Sequence, residues 1–308
     1  MKWGRVLVGA VALALVGAVV WVGLGRRPAG TVPENVEVMR DIVYATIGER
    51  DLHMDIVRPR ELPPAPLPVL VYIHGGAWRE GSYHTDLLYP FAQKGYLTAS
   101  VEYRFTQEAI FPAQIHDCKA AIRFLRARAS EYNLDPDRIA VVGISAGGHL
   151  AALLGTSGGV AELEGDLGNA HYSSRVQAVI DIFGPTDITT MIPDRGYRLA
   201  AVSPEDELVG GPVEEHMDLA RQASPLTYVD KTDPPFLIVH GDEDKVVSIA
   251  QSEKLDKALR EAGVESKFIR VRNAGHGFGL FTWPTLPQVR AGLFRFLDRR
   301  LKQQPDSS

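Results

Sequence analysis

The sequence predicts an α/β fold: a mostly parallel central sheet, helices on both faces, and a small insertion in the second half of the chain. Three observations predict it. Runs such as Val69-Leu70-Val71-Tyr72-Ile73 and Ile139-Ala140-Val141-Val142 are apolar at every position, as strands covered on both faces must be. These runs alternate with stretches of helical periodicity, the pattern of parallel strands joined by crossover helices. The 308 residues, less an apolar N-terminus, suit one large domain with a full core better than two small ones.

The first element is residues 1–27. Lys2 and Arg5 precede a run from Val6 to Leu24 made only of Val, Ala, Leu, Gly and Trp21, and Arg26-Arg27-Pro28 closes it. As a helix this run is about 28 Å long, close to the ~30 Å apolar core of a bilayer. It is apolar all round, which rules against a core helix with a solvated side. Its length and its arginine-proline end favour an uncleaved signal anchor over a cleaved signal peptide. Lys2, Arg5 and the α-amino group outweigh Arg26 and Arg27, so the expected arrangement is a membrane-anchored protein with its folded domain outside the cytoplasm. Cleavage would instead give a secreted or periplasmic protein.

Residues 28–36 read as a Pro- and Gly-containing linker, 37–302 as the folded domain and 303–308 as a disordered tail. Glu37–Ile47 and Leu52–Val57 read as two strands around a turn at 48–51. A proline-rich loop leads to the strand Val69–Ile73, and Leu97–Val101 is the next strand. Gln114–Tyr132 reads as one long helix with Ile115, Cys118, Ala121, Ile122 and Leu125 on one face. Asp135-Pro136-Asp137 reads as a turn, Arg138–Ile144 as a strand and Ala146–Leu154 as a helix. Val176–Phe183 and Pro235–His240 are two more buried strands. The segment between them, 187–229, is rich in Pro, Gly and acidic residues and reads as a small insertion over the sheet edge. Ser248–Ala262 is a helix, Ser266–Val271 a strand and Thr285–Leu301 the closing amphipathic helix.

Composition excludes several partners. A net charge of -5 and a pI near 6.0 give no basic surface for nucleic acid. Cys118 is the single cysteine, so there is no intrachain disulfide and no cysteine-based zinc site.

Gly143-Ile144-Ser145-Ala146-Gly147 matches G-x-S-x-G, a serine on a sharp strand-to-helix turn. The glycines remove Cβ atoms that would obstruct that turn. Gly155-Thr156-Ser157-Gly158-Gly159 matches the same expression, but it follows a helix and reads as that helix's C-terminal glycine loop. Ser145, between a buried strand and a helix, is therefore the expected nucleophile. His74-Gly75-Gly76-Ala77-Trp78 follows a buried strand, where small residues let backbone amides approach a reacting oxygen. The expected donors are the N–H groups of Gly75, Gly76 and Ala146. His74 is expected to fix that loop rather than to act as base.

Of nine histidines, His276 lies in a glycine-flanked loop after a late strand and is the expected base. His149 is expected to pack beneath the serine, and His240 to anchor the neighbouring acid loop. His240-Gly241-Asp242-Glu243-Asp244 offers three carboxylates between serine and histidine in chain order. Asp244 is the expected acid, with Asp242 the alternative. Asp187 is read as capping the segment that follows it. A metal held by His240, Asp242, Glu243 and Asp244 would need a second ligand cluster, and no metal is expected there. Trp78, Tyr83, Tyr103, Phe105 and Trp283 are candidate aromatic lining for a substrate pocket, with core packing the competing role for each.

With these motifs the chain resembles the bacterial BD-FAE-type esterases, acetylxylan and feruloyl esterase-like members of the α/β-hydrolase superfamily. The resemblance runs from about Val38 to Leu301. It rests on the segments around His74, Ser145 and His276, on Phe111-Pro112-Ala113-Gln114 and Asp135-Pro136-Asp137-Arg138-Ile139, and on Phe183-Gly184-Pro185-Thr186-Asp187, Ala223-Ser224-Pro225 and Pro234-Pro235-Phe236 through Gly241. It implies an α/β-hydrolase fold and cofactor-free hydrolysis of carboxylic esters, with short acyl groups, acetyl or feruloyl, on carbohydrate among the substrates. The membrane-anchor-like N-terminus departs from the secreted or cytosolic members. The expected chemistry is a two-step acyl transfer through Ser145, His276 and Asp244. An arylformamidase or a peptidase on the same fold is the alternative. A non-catalytic binding protein would be expected to carry a broken triad, and all three positions are intact.

Overall fold

The structure, a computed structural model, describes residues 31–278 and 287–302. Eight strands form one sheet: β1 Val36–Ile47, β2 Arg50–Pro59, β3 Leu67–Ile73, β4 Leu97–Val101, β5 Leu134–Ile144, β6 Ala178–Ile182, β7 Phe236–Gly241 and β8 Ser266–Val271. Their spatial order is β1-β2-β4-β3-β5-β6-β7-β8. The hairpin β1–β2 and the pair β2–β4 are antiparallel, and every pairing from β4 to β8 is parallel. The α/β architecture read from the sequence is the one present. Four longer helices cover the sheet: α1 Ala113–Ala127, α2 Ala146–Thr156, α3 Ile249–Glu261 and α4 Pro287–Leu297.

The period of two along the buried strands sorts their side chains into two cores. Val69, Val71 and Ile73 of β3 face the side that packs Ile115, Ile122 and Leu125 of α1, Leu150 and Leu153 of α2, and Leu255 and Leu259 of α3. Leu70 and Tyr72 face the other side, with Ile180, Val239 and the α4 residues Val289, Leu293, Phe296 and Leu297. A continuous apolar run is thus what a strand between two helical layers requires.

Three boundaries depart from expectation. The long helix stops at Arg128, and a separate turn, Ala129–Tyr132, ends at Asn133 in the left-handed conformation. Asp135-Pro136-Asp137 is not a turn outside the sheet but an irregular start of β5. Leu134 pairs with Leu67, the register shifts before Val69, and Asp135 accepts a hydrogen bond from its neighbour's backbone at Asp137. The insertion between β6 and β7 does not lie over a sheet edge, because those two strands are adjacent and interior. Its short helices instead bond to loops at the carboxyl ends of the strands: Arg195 donates to the carbonyl of Val246, and Arg79 pairs with Glu207.

Residues 1–30, 279–286 and 303–308, and with them the expected N-terminal anchor, Trp283 and the expected tail, lie outside the described residues. Among the described residues no helix is long and apolar enough to cross a membrane.

Candidate active site

The site forms where β3, β5, β7 and β8 end. Strand β5 runs directly into α2, and Ser145 at the junction has φ 55° and ψ -120°. That turn needs bare backbone around it. A Cβ on Gly143 would stand 1.9 Å from the carbonyl oxygen of Gly147, and one on Gly147 would stand 2.1 Å from that of Ile73. Gly147→Ala is therefore expected to destabilise the protein by about 1–3 kcal/mol or more, since the clash is with backbone that has nowhere to yield. Chemical denaturation of the variant checks this, and an unchanged midpoint would contradict it.

The same turn is tied down from behind. The amide of Ser145 donates to the carbonyl of Ile182 at 2.9 Å. Its hydroxyl faces Nε2 of His276 at 3.0 Å, and Nδ1 of that ring lies 2.7 Å from Oδ2 of Asp244. Residues distant in sequence therefore meet in one hydrogen-bonded line. Asp244 takes the place expected of it, and Asp242 does not: Asp242 accepts from the amide of Asn273 and ties the acid loop to the histidine loop.

Asp244 is fully enclosed, and each oxygen has its partners. Oδ1 accepts from the amides of Val246 and Val247 at 2.8 and 2.9 Å. Oδ2 faces both His276 and Nε2 of His240, the latter at 3.3 Å. Burial by itself raises a carboxyl pKa; here the His276 charge and the hydrogen bonds from His240 and His276 overcome it. The Asp244 carboxyl is held well below the usual range. His240 also contacts Ser252 and the carbonyl of Val247, so it braces the acid loop as expected.

Beside the serine, Gly75 comes so close that a Cβ there would lie 3.4 Å from Cβ of Ser145. Among the described residues, no backbone carbonyl accepts from the amides of Gly75, Gly76 or Ala146. Ala146 is also the first residue of α2, so the positive end of that helix points to the same space. His74 is buried and burial lowers its pKa to about 4, so the ring is neutral. It holds the loop through the Gly75 carbonyl at 2.7 Å and stacks on Tyr103.

The aromatic candidates fall elsewhere. Trp78 and Tyr103 belong to the core, so neither lines an open pocket. Trp78 donates from its indole to His149, and Tyr103 donates to the carbonyl of His74. Tyr83 donates to Asp41 on the edge hairpin, where His84 contacts Asp55. Asp41, Asp55 and His84 bring ligating atoms within 4.8 Å of one another. Arg40 already donates to Asp55, and the two ring nitrogens of His84 face different carboxylates, so these groups anchor the loop after Trp78 to β1 and β2. Ser157, in the second G-x-S-x-G match, donates back to the carbonyl of Leu153, and Asp187 caps a helical turn.

Two residues were not singled out from the sequence. Phe183 has φ 45° and sets its ring 4.7 Å from His276, tilted at 59°. Asp181 is fully buried below the elbow; Oδ1 accepts from the amide of Gly184, and Oδ2 has no partner among the described residues. Burial pushes its pKa up to about 7. A carboxyl raised on folding stabilises the fold only while it is protonated in both states. That contribution is fully present below its unfolded value of 3.8 and is lost as pH rises to about 7. The melting temperature of Asp181→Asn relative to the parent should therefore climb between pH 4 and 7 and level off above. A difference independent of pH in thermal melts would overturn this.

The BD-FAE family model matches residues 54–259. Esterase LipC of Mycobacterium tuberculosis (strain ATCC 25618 / H37Rv) is 33% identical over 232 residues, covering 74% of this chain and 57% of its own length. Esterase LipQ of the same strain is 33% identical over 247 residues, covering 78% and 57%. The chain thus spans little more than half the length of these curated relatives. A solved structure described as a truncated form of carbohydrate esterase from gut microbiota superposes with a TM-score of 0.79 at 33% identity, covering 90% of this chain and 100% of that one. With the family model spanning most of the folded domain, and with this sheet order and strand-to-helix elbow, the chain belongs to the BD-FAE family of the α/β-hydrolase superfamily.

Proposed function

We propose that the protein is a serine carboxylesterase. The single observation that carries this reading is the unbroken line from Asp244 through His276 to the Ser145 hydroxyl, beside amides to which no backbone carbonyl bonds among the described residues. His276 takes the serine proton as the hydroxyl attacks an ester carbonyl, and Asp244 steadies the imidazolium that results. Amides of Gly75, Gly76 and Ala146 stabilise the charge that develops on the carbonyl oxygen. The alcohol leaves with the proton from His276, and water repeats the sequence to release the acid.

Short acyl groups on carbohydrate are the proposed substrates, a reading supported by likeness to a carbohydrate esterase. Initial rates on p-nitrophenyl acetate, butyrate and octanoate, a feruloyl ester, acetylated xylan and N-formylkynurenine test it. Turnover of acetyl or feruloyl esters is expected. Turnover confined to N-formylkynurenine would replace the esterase with an arylformamidase, and no turnover at all would remove the catalytic reading.

The proposed location is a membrane surface, with the apolar run Val6–Leu24 as the anchor. Release of the full chain from membranes by carbonate, without detergent, would count against it.

A further inference from the structure

The loop that carries Gly75 and Gly76 ends in two residues that have no glycine's freedom yet adopt left-handed backbone, Ala77 at φ 51° and Trp78 at φ 58°. Something outside the loop must hold it there. The Trp78 indole is buried, and its Nε1 donates to Nδ1 of His149 at 3.0 Å, the two rings meeting edge to face at 5.1 Å. His149 is buried as well, and its Nε2 lies 2.6 Å from the carbonyl of Ala223 in the insertion. Only one tautomer serves both bonds: Nδ1 accepts from the indole, so the proton sits on Nε2 and points at Ala223. Burial, which lowers the pKa of this ring to about 4, keeps it neutral and so keeps Nδ1 an acceptor.

His149 is also fixed to the nucleophile. Its amide donates to the carbonyl of Ser145 at 2.9 Å, one turn into α2. One imidazole thus joins three parts of the site: the helix that begins at the serine, the loop that supplies the amides, and the insertion.

We propose that His149 is a positioning residue for the oxyanion site: by accepting from Trp78 and donating to Ala223, it sets where the amides of Gly75 and Gly76 stand relative to Ser145. The proposal rests on Ser145 being the nucleophile of an esterase. Its consequence is that the hydrogen-bonding pattern at position 149, rather than the ring, governs the rate. Gln offers one acceptor and one donor in nearly the same span; Leu fills the space and offers neither.

The test is steady-state kinetics on p-nitrophenyl acetate with the full chain, for the parent, His149→Gln, His149→Leu, Trp78→Phe and the Trp78→Phe/His149→Leu double variant, with melting followed by circular dichroism. His149→Leu and Trp78→Phe should each lower kcat by about tenfold to a hundredfold, as a donor displaced by an ångström does, with KM nearly unchanged. His149→Gln should recover most of that loss. The double variant should lose no more than the worse single variant, because both break one chain of contacts. A Trp78→Phe enzyme that melts like the parent and keeps its kcat overturns the proposal, even if His149→Leu fails to fold. Losses that multiply in the double variant, or a Gln variant as slow as Leu, overturn it too. A parent enzyme inert on every ester removes the esterase reading and this proposal with it; an active parent indifferent to these changes removes the proposal alone.

Discussion

Ser145→Ala is expected to lower kcat on p-nitrophenyl acetate by about 10⁶-fold, the size of loss seen when a triad nucleophile is removed. The fold should not notice. Among the described residues the serine hydroxyl bonds only to Nε2 of His276, on a ring that remains held by Asp244 and faced by Phe183. Alanine has the same Cβ, so the φ of 55° costs it no more than it costs serine. The glycine contacts around the elbow are also unchanged. Melting temperature should therefore stay near the parent value while turnover and labelling by a fluorophosphonate both vanish. Ser157→Ala is the matched control, because among the described residues that hydroxyl returns only to the carbonyl of Leu153 on its own helix. A Ser145→Ala enzyme that keeps more than about a hundredth of the parent rate would mean that another group attacks the ester.

That control also shows why the site could be read from the chain at all. Two segments match the same five-residue pattern, and only their neighbours separate them: an all-apolar strand before Ser145, a helix before Ser157. Chemistry leaves local marks where it needs bare backbone, at Gly75 beside the serine and at Gly143 and Gly147 around the turn. Asp244 and His276 were legible through their loops and their order in the chain. What stayed hidden depends on contacts that no local pattern records. Trp78 follows a loop motif and so reads as pocket lining, but the left-handed backbone at 77 and 78 turns its indole inward to His149. Asp181 looks like a polar break in a strand; its role appears only when the amide of Gly184, three residues on, folds back to it. The antiparallel placement of β2 beside β4, with β3 inside, is likewise set by pairing over a distance. The turn signal at Asp135-Pro136-Asp137 was real but local, and pairing of Leu134 with Leu67 drew it into the sheet.

Asp244→Asn has the second large expected effect, about 10⁴-fold in kcat. The variant is nearly the same shape, so the loss must come from where the protons go. In the parent, Oδ1 accepts from the amides of Val246 and Val247, and Oδ2 takes the proton-bearing Nδ1 of His276. An asparagine has one oxygen, and two backbone donors claim it. Its NH₂ group must then face His276, which can meet it only by leaving Nδ1 without a proton. The proton moves to Nε2, the atom 3.0 Å from the serine hydroxyl, and the base has become a donor. Stability should change with pH in a matching way. The Asp244 carboxyl is held well below its ordinary value, so in the parent it contributes stability above the unfolded pKa of 3.8, and this is lost as pH falls toward the folded value. The gap in melting temperature between parent and Asp244→Asn should therefore be widest near neutral pH and should shrink below pH 4. A variant losing less than about tenfold in kcat would show that His276 keeps its working tautomer without the carboxylate.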